Sequence, residues 1–500
     1  MVIASSSRTW HTLLLCLSLL QSISSAPTPK TALSIPKKKQ SHTVKFSQRA
    51  TSSRHGDGFK ARHKRREYDL HRRSIEKRQA SDDDSPLYNL EDARYIVHIT
   101  IGGQDLQVII DSGSTDTFVY SVQPYNQNNG SPPPLFNNRT ASPLYDLGLT
   151  YNASYGSGNG LSNTIGSSLL SNVAIDGSDL AVTNLTFADL YQTTNGVGAS
   201  GLMGLGFPLN GNIWSDAVLA IYGQTKQKVS QAVSSSYFPI VPLLYYQNQI
   251  ASSMYSLVVT RMGPNDANNP KSSGGTLPTS PQATLLSEGT MVFGDYPESM
   301  NEDQFTWCDV PVVTVSDQYR EYGFPDSTGN RWTTKTDAIF FNGVKLIDSR
   351  IQPEAEANYA LLDTGNPILA MASDVLAQIT NAWAANPDNF VLPCDSAFDL
   401  VFQFGGQNFT IAKEDVLVPS TAAIDSYNYG GYARTDCQAQ IQPFTPTGNE
   451  VGPETSQTHH LGDVFFRNVI SVFDYGDLYN AASNPPRIGL YSTTAPGSNT

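Results

Sequence analysis

The chain contains 500 residues and carries a formal net charge of −13 at pH 7. This length exceeds what one compact core usually holds, so we expect at least two domains or lobes. No stretch is apolar over the ~20 residues that a membrane-spanning helix requires, so we expect no membrane span.

Residues 1–25 predict a secretory signal peptide. Arg8 precedes a short apolar run at 13–20, and small residues follow at 24–26. A positive start, an apolar centre and a small-residue end are typical of such signals. A buried helix is the alternative, which the extreme N-terminal position disfavours. We therefore expect a secreted protein, with delivery to an acidic vacuole as the second possibility.

Residues 26–78 predict a basic pro-segment. Residues 27–78 hold 16 Lys and Arg against four acidic residues, whereas 79–500 holds 15 basic and 41 acidic residues, a formal net charge of −26. A basic run is more often a solvated or nucleic-acid-binding tail. Here it precedes a very acidic body and ends at Lys77–Arg78, a dibasic processing site. We expect it to dock by charge until a kexin-like protease removes it. Nucleic acid is not an expected partner, because the mature chain would repel its phosphates.

Residues 79–500 predict an all-β fold. Short apolar or alternating runs are separated by Gly, Pro and Asn turns; examples are 95–101, 255–260 and 290–294. The stretch from Ala370 to Ala385 predicts a helix. Segments rich in Pro, Asn and Ser, at 121–134 and 262–282, predict surface loops.

Two short motifs share one pattern, at Val108 to Thr115 and at Ala360 to Pro367. In each, an apolar run ends on an aspartate, Asp111 or Asp363, followed by a hydroxyl residue and a glycine. Each run predicts a buried strand, and each glycine permits a tight turn. One such motif is a common strand-to-turn aspartate, but two copies 252 positions apart predict two halves of one site. Two carboxylates sharing a site cannot both ionise cheaply, so one acid and one base result.

This pair resembles the catalytic motifs of the pepsin-like (family A1) aspartic proteases, of the fungal secreted type. The resemblance covers about 85–492 and includes the segments 200–208 and 461–467. It implies a bilobal fold with pseudo-two-fold symmetry, lobes at 79–252 and 253–500, and a cleft between them. It further implies a monomeric endopeptidase, made as a zymogen, that cuts a peptide or protein substrate without metal or cofactor.

In that family, Asp111 and Asp363 correspond to the catalytic pair that activates a water molecule. Ser112 and Thr364 match the hydroxyls that brace the two loops by hydrogen bonds. Ser114 matches the hydroxyl that supports the outer oxygen of its aspartate.

Two positions near the second motif depart from the family pattern. Asn366 stands where a hydroxyl residue supports the second aspartate. Its amide can still donate a hydrogen bond, unless Pro367 turns it away and it only caps the loop. His460 stands where an apolar residue is usual, and the sequence offers no explanation.

Tyr155, Gly156 and Ser157 resemble the tip of the family's flap, a hairpin that covers the cleft and helps to exclude water. Phe118 replaces a Trp whose ring nitrogen usually bonds the flap tyrosine. Because Phe has no donor, Tyr155 needs another partner. The stretch 316–331 resembles an insertion.

Cys394 and Cys437 enclose the segment in which the family usually has a disulfide, and a secreted route is compatible with that bond. Cys308 has no evident partner, and we expect a buried thiol. Five glycosylation sequons fit a secreted protein; they are Asn129, Asn138, Asn152, Asn184 and Asn408.

Two other functions stay open. A catalytically silent homologue would bind peptides or proteins without cutting them, which the departures at Asn366 and Phe118 motivate. A glycosidase would also use two carboxylates. A Ser-His-Asp triad is disfavoured, because after residue 78 it would have to use His98, His459 or His460. No Cys/His spacing predicts zinc.

Overall fold

We describe the protein from a computed structural model. The structure describes residues 84–90, 94–121, 134–157, 160–193, 199–261, 288–346, 359–383, 390–419, 436–444 and 457–494. The predicted signal peptide, pro-segment and dibasic site, the sequon at Asn129, the loop at 262–282 and most of the loop at 121–134 lie outside these ranges.

The strands of the first half are β1 (Asp84–Leu90), β2 (Arg94–Ile101), β3 (Gln104–Asp111), β4 (Phe118–Tyr120), β5 (Tyr145–Ser157), β6 (Gly160–Ile175), β7 (Ala181–Thr193) and β8 (Gly201–Gly204). Those of the second half are β9 (Met254–Val258), β10 (Glu288–Phe293), β11 (Thr306–Asp309), β12 (Val312–Thr314), β13 (Ser327–Gly329), β14 (Thr333–Lys335), β15 (Ala338–Phe341), β16 (Val344–Lys345), β17 (Tyr359–Leu362), β18 (Leu369–Met371), β19 (Val391–Pro393), β20 (Leu400–Phe404), β21 (Gln407–Ile411), β22 (Leu417–Pro419), β23 (Asp436–Ala439), β24 (Ile441–Pro443), β25 (Gln457–Leu461), β26 (Val469–Asp474) and β27 (Arg487–Ser492).

Helices are few and mostly short. They are α1 (Asn212–Thr225), α2 (Gln231–Ser234), α3 (Ile240–Tyr246), α4 (Asp317–Tyr322), α5 (Ser373–Trp383), α6 (Lys413–Val416) and α7 (Asp463–Phe466), with 3₁₀ turns at Pro208–Asn210, Ser235–Tyr237 and Glu302–Gln304. No helix in the described ranges is long and apolar enough to cross a membrane. The predicted all-β class is confirmed.

The strands form a bilobal arrangement of sheets. Among the described strands, thirteen form one sheet in the order β11-β27-β26-β9-β10-β1-β2-β3-β8-β4-β7-β6-β5. Strands from both predicted lobes meet in it where β1 pairs with β10. A second sheet, β14-β17-β25-β18-β24, belongs to the second half alone. The two aspartate motifs lie in different sheets, β3 in the first and β17 in the second.

An aromatic core joins the two halves beneath the first motif. The ring of Phe207 lies 4.3 Å from that of Trp332 and 5.3 Å from that of Tyr475. The carbonyl oxygen of Leu205 accepts hydrogen bonds from the Trp332 indole at 2.7 Å and the Tyr475 hydroxyl at 2.6 Å. Donors from the second half therefore satisfy a buried carbonyl of the first.

The helix predicted from Ala370 begins at Ser373 instead. Leu369 to Met371 form β18, which pairs with β24 and β25. Local sequence is compatible with helix there, but sheet pairing decides the conformation. The stretch 316–331 forms α4 and β13, and Phe324 within it packs against Trp214 of α1 at 4.7 Å.

The cysteines lie as expected. Cys394 and Cys437 form a disulfide, and Cys308 is a buried free thiol whose burial raises its pKa to about 12. Three predicted sequon asparagines are exposed, Asn138, Asn152 and Asn408, and Asn184 is half-buried. Their glycosylation stays a prediction.

Candidate active site

Asp111 and Asp363 each lie at the carboxyl end of a central strand. Asp111 ends β3, which runs between β2 and β8, and its carbonyl accepts the Leu205 N–H at 2.8 Å. Asp363 follows β17, which runs between β14 and β25, and its N–H donates to the Leu461 carbonyl at 3.0 Å. Both aspartates are therefore anchored by a strand that is paired on both sides.

Ser112 and Thr364 join the two loops by crossed hydrogen bonds. The Ser112 N–H donates to the Thr364 hydroxyl at 3.0 Å, and the Thr364 N–H donates to the Ser112 hydroxyl at 2.9 Å. Each hydroxyl in turn donates to a carbonyl of the opposite strand, at Leu362 and Ile110. All of these groups are buried, so the loops are held at a fixed separation.

Two glycines let the carboxyl groups approach each other. The Gly113 N–H donates to Asp111 Oδ1 at 2.8 Å, and the Gly365 N–H donates to Asp363 Oδ1 at 2.9 Å. A Cβ added at Gly113 would lie 2.4 Å from Asp363 Oδ1, and one at Gly365 would lie 2.6 Å from Asp111 Oδ1. No other residue fits at either position.

The outer oxygens of the two carboxyls have different surroundings. The Ser114 hydroxyl donates to Asp111 Oδ2 at 2.5 Å. The side-chain oxygen of Asn366 instead accepts the Ile368 N–H at 3.3 Å, and within the described residues its amide makes no hydrogen bond to Asp363. This geometry corresponds to the loop-capping alternative rather than to direct support.

The pKa of Asp363 lies well above its ordinary value. Burial is the first cause, followed by the negative charge of Asp111 and a hydrogen bond between the two carboxyls. The Gly365 N–H and the positive charge of Arg331 oppose the rise. Asp363 is therefore the member of the pair that keeps a proton.

Sequence reasoning missed two groups beside Asp363. Nδ1 of His460 lies 3.9 Å from Asp363 Oδ2, and its ring lies 4.6 Å from that of Phe444. Burial, then the charge of Arg331, lowers the pKa of His460 to about 4. The one feature of the sequence that could have pointed to His460 is a polar residue at a position where the family usually has an apolar one. No feature of the sequence pointed to Arg331, because it ends the stretch 316–331, which resembles an insertion.

The predicted flap is a hairpin of β5 and β6, with Tyr155 opposite Ser162 and Ser157 opposite Gly160. The side chains from 154 to 163 lie outside the described part, so the roles of Tyr155, Gly156 and Ser157 stay predictions. Phe118 is buried in an apolar cluster that includes Tyr151 of this hairpin, together with Tyr120 and Leu202.

Within the described ranges, no three His, Cys, Asp or Glu side chains are arranged to hold a metal ion. His459, beside His460 on β25, is fully buried, and its Nδ1 accepts the Ala372 N–H at 3.3 Å. Its role is structural.

Known proteins resemble this chain over most of its length. The family model for eukaryotic aspartyl proteases matches residues 94–270 and 282–480. Cathepsin E of Rattus norvegicus is 23% identical over 406 residues, which cover 78% of this chain and 80% of the relative. Pepsin A of Suncus murinus is 23% identical over 410 residues, which cover 79% of this chain and 81% of the relative.

The fold is also that of a solved aspartic proteinase. The crystal structure of the enzyme from Irpex lacteus matches with a TM-score of 0.54 and 16% identity, and it covers 83% of this chain and 98% of that chain. The family match spans well over half of the sequence and includes both aspartate motifs. The chain belongs to the eukaryotic aspartyl protease family.

Proposed function

We propose that this chain is a secreted endopeptidase that hydrolyses peptide bonds in acid, with a water molecule activated between Asp111 and Asp363. The observation that carries the proposal is the placement of two carboxyls at one junction, buried Asp111 and half-buried Asp363, with the pKa of Asp363 raised by burial and by the charge of Asp111. Such a pair supplies a base and an acid at one place without a third residue.

The reaction proceeds in two steps. Ionised Asp111 removes a proton from the water as its oxygen bonds to the scissile carbonyl carbon, while Asp363 protonates the carbonyl oxygen. The product of this first step is a gem-diol. In the second step the C–N bond breaks, Asp111 passes its proton to the leaving nitrogen, and Asp363 takes a proton from a hydroxyl of the gem-diol. Both carboxyls then have their starting protonation.

The substrate is a peptide or protein segment bound in extended form. Its backbone forms hydrogen bonds with the cleft, and alternate side chains enter pockets. The flap at Tyr155 to Ser157 closes over it and excludes water. Residues 26–78 act as the pro-segment of a zymogen, and cleavage after Lys77–Arg78 releases an enzyme beginning near Gln79.

The carboxyl spacing favours a protease over a glycosidase. Each carboxyl lies against the glycine of the opposite loop, since a Cβ added at Gly113 would lie 2.4 Å from Asp363 Oδ1 and one at Gly365 would lie 2.6 Å from Asp111 Oδ1. Glycosidase carboxyls lie about 5 Å or more apart, because a sugar and often a water must fit between them.

Assay of the processed protein against a denatured protein and a polysaccharide, at about pH 4 and pH 7, tests the proposal. We expect protein cleavage in acid, and a loss of about 10²-fold or more in Asp111→Asn and Asp363→Asn. The matched control is Asp179→Asn, which neutralises an exposed aspartate.

Peptide binding without cleavage would instead identify a silent homologue, and sugar release a glycosidase. Retention of near-normal proteolysis by folded Asp363→Asn would refute the mechanism.

A further inference from the structure

The pseudo-symmetric pair lacks symmetry at its outer oxygens. Ser114 donates to Asp111 Oδ2, but the residue in the corresponding place, Asn366, uses its side chain to cap the Ile368 N–H. Asp363 Oδ2 therefore has no donor from its own loop among the described residues.

His460 lies where a substitute donor would be needed. Its strand, β25, runs parallel to β17, and His460 pairs with Leu361, two residues before Asp363. Nδ1 lies 3.9 Å from Asp363 Oδ2. This separation is longer than a hydrogen bond, but catalytic hydrogen bonds are often long without substrate and shorten in the complex.

The surroundings of the ring decide which nitrogen carries the proton. Nε2 of His460 is buried and has no hydrogen-bond partner within the described residues, and Phe444 covers the ring. A proton on Nε2 would be buried without an acceptor, which is costly. The neutral tautomer with its hydrogen on Nδ1 therefore directs an N–H toward Asp363.

The charged groups around the ring come from two elements. Asp363 faces the His460 ring from the loop after β17, and the charge of Arg331 acts on it from two residues before β14. On the other sides, Ala370 of β18 pairs with it and Phe444 follows β24. Burial, and then the positive charge of Arg331, disfavours a positive charge on His460, so the ring is neutral above its pKa of about 4 and carries a hydrogen on Nδ1 on either side of that pH.

We infer that His460 is a positioning residue whose Nδ1–H supports the outer oxygen of Asp363, in place of the hydroxyl that Ser114 supplies to Asp111. This inference rests on the proposed peptidase function. Its effect is greatest after Asp363 has given its proton to the substrate carbonyl, because a carboxylate accepts a stronger hydrogen bond than a carboxylic acid. His460 therefore acts mainly on kcat.

Four variants test the inference. His460→Leu removes the donor, His460→Gln moves it to the place of Nε2, and His460→Asn keeps an N–H near the place of Nδ1. His459→Leu is the matched control on the same strand, because it removes a buried histidine that does not face the pair. The kcat of each variant is calculated per active site, and the active sites are titrated with a tight-binding peptide inhibitor.

We expect His460→Leu and His460→Gln to lose about tenfold in kcat with KM changed less than about twofold. The basic limb of their pH–rate profiles should move to higher pH, since losing the donor makes Asp363 hold its proton more tightly. His460→Asn should retain most of kcat and the wild-type limb. His459→Leu should lower Tm and leave kcat per titrated site unchanged.

Wild-type kcat and pH limbs in both His460→Leu and His460→Gln would overturn the inference. So would a defect in His460→Asn equal to that in His460→Leu. If the wild type cleaves protein and Asp363→Asn does not, either outcome refutes only the role of His460. An inactive wild type would refute the proposed function itself.

Discussion

The hydroxyls of Ser112 and Thr364 form crossed hydrogen bonds between the two aspartate loops. The Ser112 hydroxyl accepts the Thr364 N–H at 2.9 Å, and the Thr364 hydroxyl accepts the Ser112 N–H at 3.0 Å. Each hydroxyl also donates to a buried carbonyl across the junction. The two side chains thus couple the geometry of two loops that are 252 residues apart in sequence.

Removing either hydroxyl should destabilise the protein and slow catalysis. Thr364→Val and Ser112→Ala each leave a buried N–H and a buried carbonyl without partners, at about 1–3 kcal/mol for each unsatisfied group. The double variant should lose less than the sum of the two, because both act on the same junction. Denaturant unfolding of the four proteins measures this coupling. Thr225→Val, at an exposed end of α1, is the control, and strict additivity would argue against a shared brace.

Replacing Arg331 by Gln should move the basic limb of the pH–rate profile to higher pH. The positive charge of Arg331 lowers the pKa of both Asp363 and His460. Without it, Asp363 keeps its proton to higher pH, and His460 becomes protonated at a higher pH than about 4. The control is Lys335→Gln, which removes an exposed positive charge from the nearby strand β14. An equal shift in both variants would indicate general charge screening rather than a local effect.

Asp116 should contribute more to the stability of the protein in acid than at neutral pH. Its carboxylate accepts the first N–H groups of α1, from Asn212 at 2.8 Å and Ile213 at 3.3 Å. Burial nevertheless raises its pKa to about 6, against the lowering effect of these bonds and of the Tyr151 hydroxyl. A carboxyl with a raised folded pKa binds its proton more tightly in the folded state. Its contribution to stability therefore grows as pH falls through about 6 and is complete below about 3.8.

The expected change between pH 7 and pH 3.8 is about 3 kcal/mol at most for this one group. Asp116→Asn should flatten the dependence of the unfolding free energy on pH, whereas Asp179→Asn should leave it unchanged. A wild-type pH dependence in Asp116→Asn would show that other carboxyls are responsible.

Asp415 has the opposite dependence on pH. It is buried between Arg261 and Arg467, whose guanidinium nitrogens lie 2.7 and 2.9 Å from its oxygens. Burial alone would raise its pKa, but the two arginines and Asn468 outweigh burial and hold the pKa below its ordinary value. Its stabilising contribution is therefore present above about pH 3.8 and is lost as pH falls through the lower folded pKa.

Asp415→Asn should destabilise the protein at pH 5 by about 3–5 kcal/mol, because it removes the buried carboxylate that pairs with buried Arg467 and half-buried Arg261. Glu414→Gln, at the neighbouring exposed position, serves as the control. Equal unfolding free energies for the two variants at pH 5 would contradict this role for Asp415.

Several features could be predicted because they are local. The runs 95–101, 255–260 and 290–294 form strands with small changes in their ends. Alternating or continuous apolar side chains need one or two covered faces, and only strands in a sheet supply them at that length. The pairing of Cys394 with Cys437 was implied by the resemblance and is present in the structure.

Other features could not be predicted because distant segments decide them. Ala370 and Met371 are strand rather than helix since β24 and β25 lie beside them. Asn366 could donate to Asp363 or cap its own loop, and the sequence could not choose between these orientations. The Ile368 N–H is within reach of its side-chain oxygen, and this contact sets the orientation.

The sequence by itself determined the family, the all-β class and which two aspartates form the candidate pair, because two matched strand-turn motifs repeat within one chain. Only the tertiary structure decided what surrounds the second aspartate. His460 lies 97 residues after Asp363 in the sequence and Arg331 lies 32 residues before it. Strand β25 brings the first near Asp363, and the turn before β14 brings the second. The proton affinity of a carboxyl depends on burial and on charges within a few ångströms, so the asymmetry of this pair is a property of the fold.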